Sequence, residues 1–161
     1  MIYYQTLLAA PFVGFPNNYP ITHPYSGGHG PAIQLPVFGA GVVAFKGGRS
    51  QKFCTDDPNS NMICNRDTVG PWEKFKVASL GNNQYTLTSG RTSQLCSDNV
   101  EVSECNRSAV GPWETFTIIP ISSNTVSIKG GNQGKYCSDD STFICNRDTV
   151  GPWETFTWQF V

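Results

Sequence analysis

The chain has 161 residues, six cysteines and a formal net charge of -1, and this length fits one domain with a hydrophobic core. Lys and Arg are neither in excess nor clustered, which excludes an electrostatic binder of nucleic acid or of anionic membranes. The sequence also lacks an apolar run of the roughly 18 residues that a transmembrane helix needs. Neither nucleic acid nor a membrane is therefore predicted as a partner.

Residues 1–41 are predicted to form an extended, uncharged arm. All 23 charged residues, 11 Lys and Arg plus 12 Asp and Glu, lie at Lys46 or later. Frequent prolines in the arm disfavour a helix and favour extended or polyproline II backbone. Unlike solvated disordered tails, the arm is rich in aromatic residues, which are Tyr3, Tyr4, Phe12, Phe15, Tyr19, Tyr25 and Phe38. Such a segment needs a surface to lie on, either its own domain or a neighbouring subunit.

Residues 42–161 contain three repeats, 42–81, 82–121 and 122–161. Each repeat carries one copy of a twelve-residue motif, CNRDTVGPWEKF, CNRSAVGPWETF or CNRDTVGPWETF. Alternating apolar and polar residues predict four strands per repeat. The predicted strands are 43–46, 51–54, 62–64 and 75–77, then 85–88, 93–96, 102–105 and 116–118, then 126–129, 134–137, 143–145 and 156–160. Since a propeller needs at least about four blades, three repeats of four strands favour an all-β fold of the β-trefoil class.

The six cysteines occur as one pair in each repeat. The pairs are Cys54 and Cys64, Cys96 and Cys105, and Cys137 and Cys145. No Cys-x-x-Cys hook or nearby His supports zinc, so disulfides are predicted, each worth about 2–3 kcal/mol in the chain-entropy model. Three disulfides indicate an oxidising, extracellular location. The alternative is that the cysteines are buried free thiols of an intracellular protein.

The repeated motif Asn-Arg-x-x-x-Gly-Pro-Trp-Glu-x-Phe resembles that of the fascin-like β-trefoil family, over residues 42–161. The resemblance implies a six-stranded barrel capped by three hairpins with pseudo-threefold symmetry. Members of that family usually have small residues at the cysteine positions, so this chain looks like an extracellular, disulfide-stapled version. Actin binding, the activity of cytoplasmic fascins, is therefore the least favoured function.

The GPWE motif could be catalytic or structural. Its carboxylates could serve acid–base chemistry, but an active site rarely needs three copies, and Ser108 replaces the Asp found at positions 67 and 148. The structural interpretation predicts that Trp72, Trp113 and Trp153 fill the core. It also predicts that Arg66, Arg107 and Arg147 pair with Glu73, Glu114 and Glu154. We therefore expect no enzymatic activity, no catalytic residue, no metal site and no cofactor.

Acidic loops after the first cysteine of each repeat are candidate carbohydrate sites, since sugar-binding trefoils commonly use Asp or Asn there. The candidates are Asp56, Asp57, Asp98, Asn99, Asp139 and Asp140. Turn formation alone also favours these residue types. Asn106-Arg107-Ser108 is an acceptor sequence for N-glycosylation.

Two functions remain after these exclusions. The arm predicts an extracellular structural protein that assembles with itself into a homopolymer or fibril, each arm docking on a neighbouring trefoil. The alternative is a secreted, lectin-like carbohydrate-binding module with up to three weak sites, whose partners are glycans.

Overall fold

The computed structural model describes residues 41–59, 61–99 and 101–161. Apart from Gly41, the predicted arm lies outside the described residues, and its docking on a neighbour stays a prediction. The described part contains twelve β-strands and three short 3-10 helices, without an α-helix. Accordingly, none of its helices could cross a membrane.

The same order of elements occurs three times. The first repeat contains β1 (Gly41–Gly47), β2 (Phe53–Asp56), β3 (Met62–Arg66), a 3-10 helix (Pro71–Glu73) and β4 (Phe75–Gly81). The second contains β5 (Gln84–Ser89), β6 (Leu95–Asp98), β7 (Ser103–Arg107), a 3-10 helix (Pro112–Glu114) and β8 (Phe116–Pro120). The third contains β9 (Thr125–Lys129), β10 (Tyr136–Asp139), β11 (Phe143–Arg147), a 3-10 helix (Pro152–Glu154) and β12 (Thr155–Phe160).

All twelve predicted strands are present, but the second strand of each repeat begins later than predicted. The residues predicted to open these strands have positive φ angles of 56° at Gln51, 58° at Ser93 and 65° at Gly134. This left-handed conformation belongs to a turn and interrupts a strand. The predicted start was therefore wrong by two residues in each repeat.

Six strands close into an antiparallel barrel. β1 pairs with β4 and β12, β5 pairs with β4 and β8, and β9 pairs with β8 and β12. The hairpins β2–β3, β6–β7 and β10–β11 lie at one end, where β3, β7 and β11 contact one another. Closure removes the edges of the sheet inside the barrel, and the hairpins cap one opening.

The core fills the barrel and continues beneath the hairpins. The final Phe of each motif is fully buried, at positions 75, 116 and 156, because inward residues alternate along a strand. Above them lie three buried disulfides, Cys54–Cys64, Cys96–Cys105 and Cys137–Cys145. The predicted pairing is confirmed. It fits an oxidising compartment, while secretion itself stays a prediction.

Three carboxylates that were predicted to bind sugar instead connect neighbouring repeats. Asp56, Asp98 and Asp139 are at most 2% exposed, so a surface ligand cannot reach them and this part of the prediction was wrong. Each lies at the end of a hairpin strand and accepts hydrogen bonds from the turn after the next repeat's first strand. Asp139 Oδ2, for example, lies 2.6 Å from Ser50 N, which ties the third repeat to the first.

Close approach to these carboxylates explains a glycine in the turn. A Cβ atom on Gly130 would lie 2.0 Å from Asp98 Oδ2, and one on Gly47 would lie 2.1 Å from Asp139 Oδ2. In the corresponding turn of the second repeat Ser89 donates a hydrogen bond of 2.5 Å to Asp56 Oδ2. The three connections therefore share a position in the fold but differ in their donors.

Asp98 has less charge compensation than Asp56. Asp56 receives two hydrogen bonds from Arg91, at 3.1 and 3.2 Å, whereas the matching residue beside Asp98 is Asn132. Burial raises the pKa of Asp98 to about 6, and backbone hydrogen bonds from Asn132 and Gln133 offset part of the increase. Asn132 Nδ2 is itself buried without a hydrogen-bond partner among the described residues.

We predict that Asn132→Arg stabilises the fold at neutral pH and has little effect in acid. Because the folded-state pKa of Asp98 is raised, the contribution of this carboxyl group to folding stability is fully present below pH 3.8. That contribution is lost as the pH rises through about 6. A guanidinium beside the carboxylate lowers the folded-state pKa and restores stability above that range, by about 1–2 kcal/mol. Urea unfolding at about pH 3.5 and about pH 8 measures the difference.

Gln133→Arg is the matched control, because its exposed side chain adds the same charge one residue further along the turn. The control should change the free energy of unfolding by less than about 0.5 kcal/mol at either pH. An equal gain for Asn132→Arg at both pH values would contradict the account of Asp98.

Candidate functional site

The surface built by the GPWE loops comes directly from the repeated motif. In each repeat the chain leaves the second hairpin strand at an Asn-Arg pair, crosses the surface, and enters a three-residue 3-10 helix of sequence Pro-Trp-Glu. Pro is suited to the first turn because its φ angle is fixed and its missing N–H needs no partner. The helix then ends where the last barrel strand begins.

A buried glutamate fixes the shape of each loop. Glu73, Glu114 and Glu154 are at most 8% exposed, and Oε2 of each accepts a hydrogen bond from the backbone N–H of the glycine three residues earlier. The three N···O distances are 2.7, 2.8 and 2.9 Å. Because a buried carboxylate is costly unless it is hydrogen-bonded, the loop and its glutamate hold each other in place.

The predicted arginine–glutamate pairs are present but long. Nε of Arg66, Arg107 and Arg147 lies 3.8, 3.7 and 3.6 Å from Oε1 of Glu73, Glu114 and Glu154, respectively. These distances place the guanidinium beside the carboxylate without a direct hydrogen bond. The glycine N–H groups are therefore the main partners of the glutamates, and the arginines add charge compensation at the surface.

The three motif tryptophans are not in the core, so that prediction was wrong. Trp72, Trp113 and Trp153 are 39%, 40% and 42% exposed. The reason is the short helix: the glutamate turns inward to reach the glycine N–H, and the phenylalanine that follows takes the barrel interior. The tryptophan between proline and glutamate is left on the outside, so each repeat presents an indole ring to solvent.

Cationic side chains lie close to two of these indole rings. The Arg107 guanidinium lies 6.0 Å from the ring centre of Trp113, and the Arg49 guanidinium lies 5.5 Å from that of Trp153. Arg49 is held there by donating hydrogen bonds to the backbone oxygens of Asp139 and Asp140, at 2.7 and 2.6 Å. A cation within about 6 Å of an aromatic ring face is attracted to it.

The third repeat forms a cavity on the described surface. It has a volume of about 540 Å³, and its lining includes Asn146, Arg147, Asp148, Thr149 and Trp153. The side chain of Asp148 is 78% exposed, and Asn146 and Thr149 are also exposed. The cavity thus combines an indole with a carboxylate, an amide, a hydroxyl and a guanidinium, which together can donate and accept hydrogen bonds.

The first and third repeats share an ion pair that the second lacks. Lys52 pairs with Asp67, and Lys135 pairs with Asp148. The corresponding residues in the second repeat are Gln94 and Ser108. The first and third surfaces therefore carry an exposed carboxylate next to the tryptophan loop, while the second carries a hydroxyl.

The other predicted sugar-binding residues are partly exposed but have partners within their own repeat. Asp57 accepts a hydrogen bond from Arg66 at 3.0 Å, Asp140 from Arg147 at 2.8 Å, and Asn99 donates to Glu104 at 3.3 Å. Asp57 also lines a smaller cavity of about 260 Å³ with Asn59, Asn61 and Asn65. Arg66 and Arg147 therefore connect Asp57 and Asp140 to the glutamates of the tryptophan loops.

The predicted glycosylation acceptor can be located on the structure. Asn106 is exposed at the end of β7, where a glycan could be attached, and its glycosylation stays a prediction. Within the described ranges, no group of three or more His, Cys, Asp or Glu side chains is arranged to hold a metal ion.

Comparison with solved structures identifies the fold. The designed threefold-symmetric protein ThreeFoil matches 73% of this chain and 96% of its own, at 12% identity and a TM-score of 0.65. SeviL, solved bound to the asialo-GM1 saccharide, matches 75% of this chain and 98% of its own, at 9% identity and a TM-score of 0.62. The domain is a β-trefoil, and at these identities the likeness shows the fold alone.

A third match is to part of a larger enzyme. The exo-β-1,3-galactanase 1,3Gal43A from Clostridium thermocellum matches 78% of this chain at 12% identity and a TM-score of 0.67, but only 31% of the enzyme chain is covered. No protein-family model and no curated protein sequence matches the chain. The kinship with fascins in particular therefore stays a prediction.

We predict that the glutamate of the third loop is a stability determinant. Glu154→Ala removes the acceptor of the Gly151 N–H and should lower the free energy of unfolding by about 2–3 kcal/mol. Glu154→Gln keeps a neutral acceptor and should cost about 1 kcal/mol. Denaturant unfolding of the full chain measures both values.

Asp148→Asn is the matched control, since this exposed carboxylate lies on the same loop and its surface ion pair contributes little. It should change the free energy of unfolding by less than about 0.5 kcal/mol. If Glu154→Ala were no more destabilising than this control, the buried glutamate would not hold the loop.

Proposed function

We propose that this β-trefoil is a carbohydrate-binding protein whose three sites are centred on Trp72, Trp113 and Trp153. The observation that carries the proposal is the exposed indole of Trp153 at a cavity lined by Asn146, Arg147 and Asp148. Binding sites for small polar ligands typically combine an apolar or aromatic surface with a few well-placed polar groups. The proposal includes no catalytic step.

The chemistry of a sugar ring suits this surface. One face of a pyranose presents C–H groups that can stack on an indole, which has a large apolar area and a polar edge. The hydroxyls at the rim can donate to a carboxylate and accept from an amide or a guanidinium. Because the loop is fixed by Glu154, the indole is already exposed before binding and little conformational entropy is lost.

The comparison with SeviL supports the same class of ligand. That protein has the same fold and was solved with the asialo-GM1 saccharide, so a β-trefoil surface can hold an oligosaccharide. Three corresponding surfaces around one barrel would also allow multivalent attachment, in which individually weak sites combine to give strong overall binding.

The sites should not be equal. The first and third retain the lysine–aspartate pair, and the third has Arg49 beside its indole. The second has Ser108 in place of the aspartate and offers fewer strong acceptors. We therefore expect the third site to bind most tightly and the second most weakly.

The assembly function stays a prediction beside this proposal. It rests on residues 1–41, of which only Gly41 is described, and its test is electron microscopy of the full chain in search of fibrils. Extracellular location, which both functions require, is consistent with the three disulfides.

We predict that the tryptophans carry the binding. The full chain should be screened on an array of neutral and acidic oligosaccharides that includes the asialo-GM1 saccharide, and affinity for the best glycan measured by calorimetry. Trp153→Ala should weaken binding at the third site by about 10–100-fold, the typical loss for a central aromatic contact. Replacing all three tryptophans should abolish binding.

The matched control is Val110→Ser with Val150→Ser, which alters exposed apolar residues on the same loops without removing an indole. This variant should retain full affinity. Binding that survives loss of all three tryptophans, or a full chain that retains none of the arrayed glycans, would overturn the proposal.

A further inference from the structure

The barrel end opposite the hairpins carries exposed apolar side chains. It is formed by the β4–β5 turn, the β8–β9 turn, the end of β12 and the start of β1. We call this surface the open end. Its exposed apolar residues are Leu80 (48%), Ile121 (47%), Phe160 (62%) and Val161 (42%). A grouped apolar surface of this kind usually marks a contact with another segment or protein.

The open end is also uncharged. Residues 41–45, 77–84, 118–125 and 157–161 contain no Lys, Arg, Asp or Glu. Residues 1–40 likewise contain none. The surface and that segment therefore match in chemistry, because an uncharged aromatic segment can cover such a surface without removing a charge from water.

A buried donor at the open end lacks an acceptor. Trp158 is only 8% exposed, and its Nε1 has no hydrogen-bond partner among the described residues. Its ring packs edge-on against the exposed Phe160, with the ring centres 5.2 Å apart. An unpaired buried N–H is costly, so a carbonyl oxygen supplied by another segment would stabilise it.

The β1–β4 ladder reaches the first described residue of β1 at the same end. β4 pairs with β5 as far as Gly81, but its described pairing with β1 stops at Val77, opposite Gly41. Residues 78–80 of β4 therefore lie beside the positions that an upstream extension of β1 would occupy. A strand edge accepts the backbone of an added segment in this way. If the β1–β4 register continued upstream, Phe38 would stand opposite Leu80.

We propose that residues 1–40 cover the open end of their own barrel. The segment joins β1 at Gly41, and the Val161 N–H donates to the Val42 oxygen at 3.1 Å, so the segment reaches the domain at the open end. Attachment without a linker gives a very high effective concentration for the same molecule. This position favours the chain's own barrel over the neighbouring subunit predicted from composition.

The proposal assigns two contacts. Residues immediately before Gly41 continue β1 along residues 78–80 of β4, which brings Phe38 beside Leu80. The remaining aromatic residues pack on Ile121, Phe160 and Val161, and a backbone carbonyl from the segment accepts the Trp158 Nε1–H. These contacts are independent of the tryptophan loops and of glycan binding.

Hydrogen–deuterium exchange on the full chain tests the surface. Ile121→Ser with Phe160→Ser replaces exposed residues, so the barrel should keep its fold, which protection of the barrel-strand amides reports. We expect the amides of residues 1–40 to exchange at least about tenfold faster in this variant. The control Val110→Ser with Val150→Ser replaces exposed apolar residues elsewhere on the surface and should leave that exchange unchanged. Identical exchange in both variants, or unprotected amides in the unaltered chain, would overturn the proposal.

Engineered cysteines test which barrel is covered. In the full chain, Phe38→Cys with Leu80→Cys should form a disulfide within one molecule, giving a monomer in nonreducing electrophoresis and a peptide linking the two positions. Disulfide-linked dimers would show that the segment covers a neighbouring barrel and would overturn the proposal. Two unreacted thiols would contradict the proposed pairing of Phe38 with Leu80.

Discussion

In each repeat, a buried glutamate that must be hydrogen-bonded determines which side chains of the loop are exposed to solvent. Glu73, Glu114 and Glu154 each turn inward to accept a backbone N–H from the glycine of the same loop. That orientation places the following phenylalanine in the barrel and leaves the preceding tryptophan outside. Each loop consequently has a polar interior contact and an aromatic outer face. The threefold repetition of one internal hydrogen bond thus produces three aromatic surfaces around the barrel.

The symmetry is close in the core and weaker in the charged contacts. The barrel phenylalanines and the disulfides recur in every repeat. The carboxylates that link the repeats do not have equal partners, since Asp56 is compensated by Arg91 and Asp98 lies beside Asn132. The exposed lysine–aspartate pairs are also missing from the second repeat. Buried apolar positions accept few substitutions, whereas surface charges such as the lysine–aspartate pairs contribute little to stability and can differ between repeats.

The fold could be predicted from the sequence because it depends on period and pattern. Three copies of a four-strand pattern are compatible with few closed all-β folds. The disulfide between Cys54 and Cys64 could be predicted from the spacing of the two cysteines within one repeat. The late start of each second strand was not predictable from alternation alone. It depends on a left-handed residue, and Gln51 and Ser93 give no strong signal for that conformation.

The candidate site was harder to predict because it depends on which side chain of a short segment faces inward. Trp and Phe are both large and apolar, so burial of Trp72 was a reasonable expectation. Only one of the two can enter the barrel at that point, and Phe75 is continuous with the alternation of β4. The polar Asn-Arg-Asp residues and the proline before the tryptophan were the available sequence signals for a surface loop. The burial of Asp56, Asp98 and Asp139 depends on contacts between repeats, which no pattern within one repeat reveals.

Indole N–H signals in a two-dimensional NMR spectrum test the central claim most directly. The chain has four tryptophans, three at the surface loops and Trp158 in the barrel, and each gives a separate signal. On titration with the glycan that binds best, the account predicts that the signals of Trp72, Trp113 and Trp153 shift, while that of Trp158 does not. A glycan that shifts Trp158 alone, or that binds without moving any of the three loop signals, would contradict it.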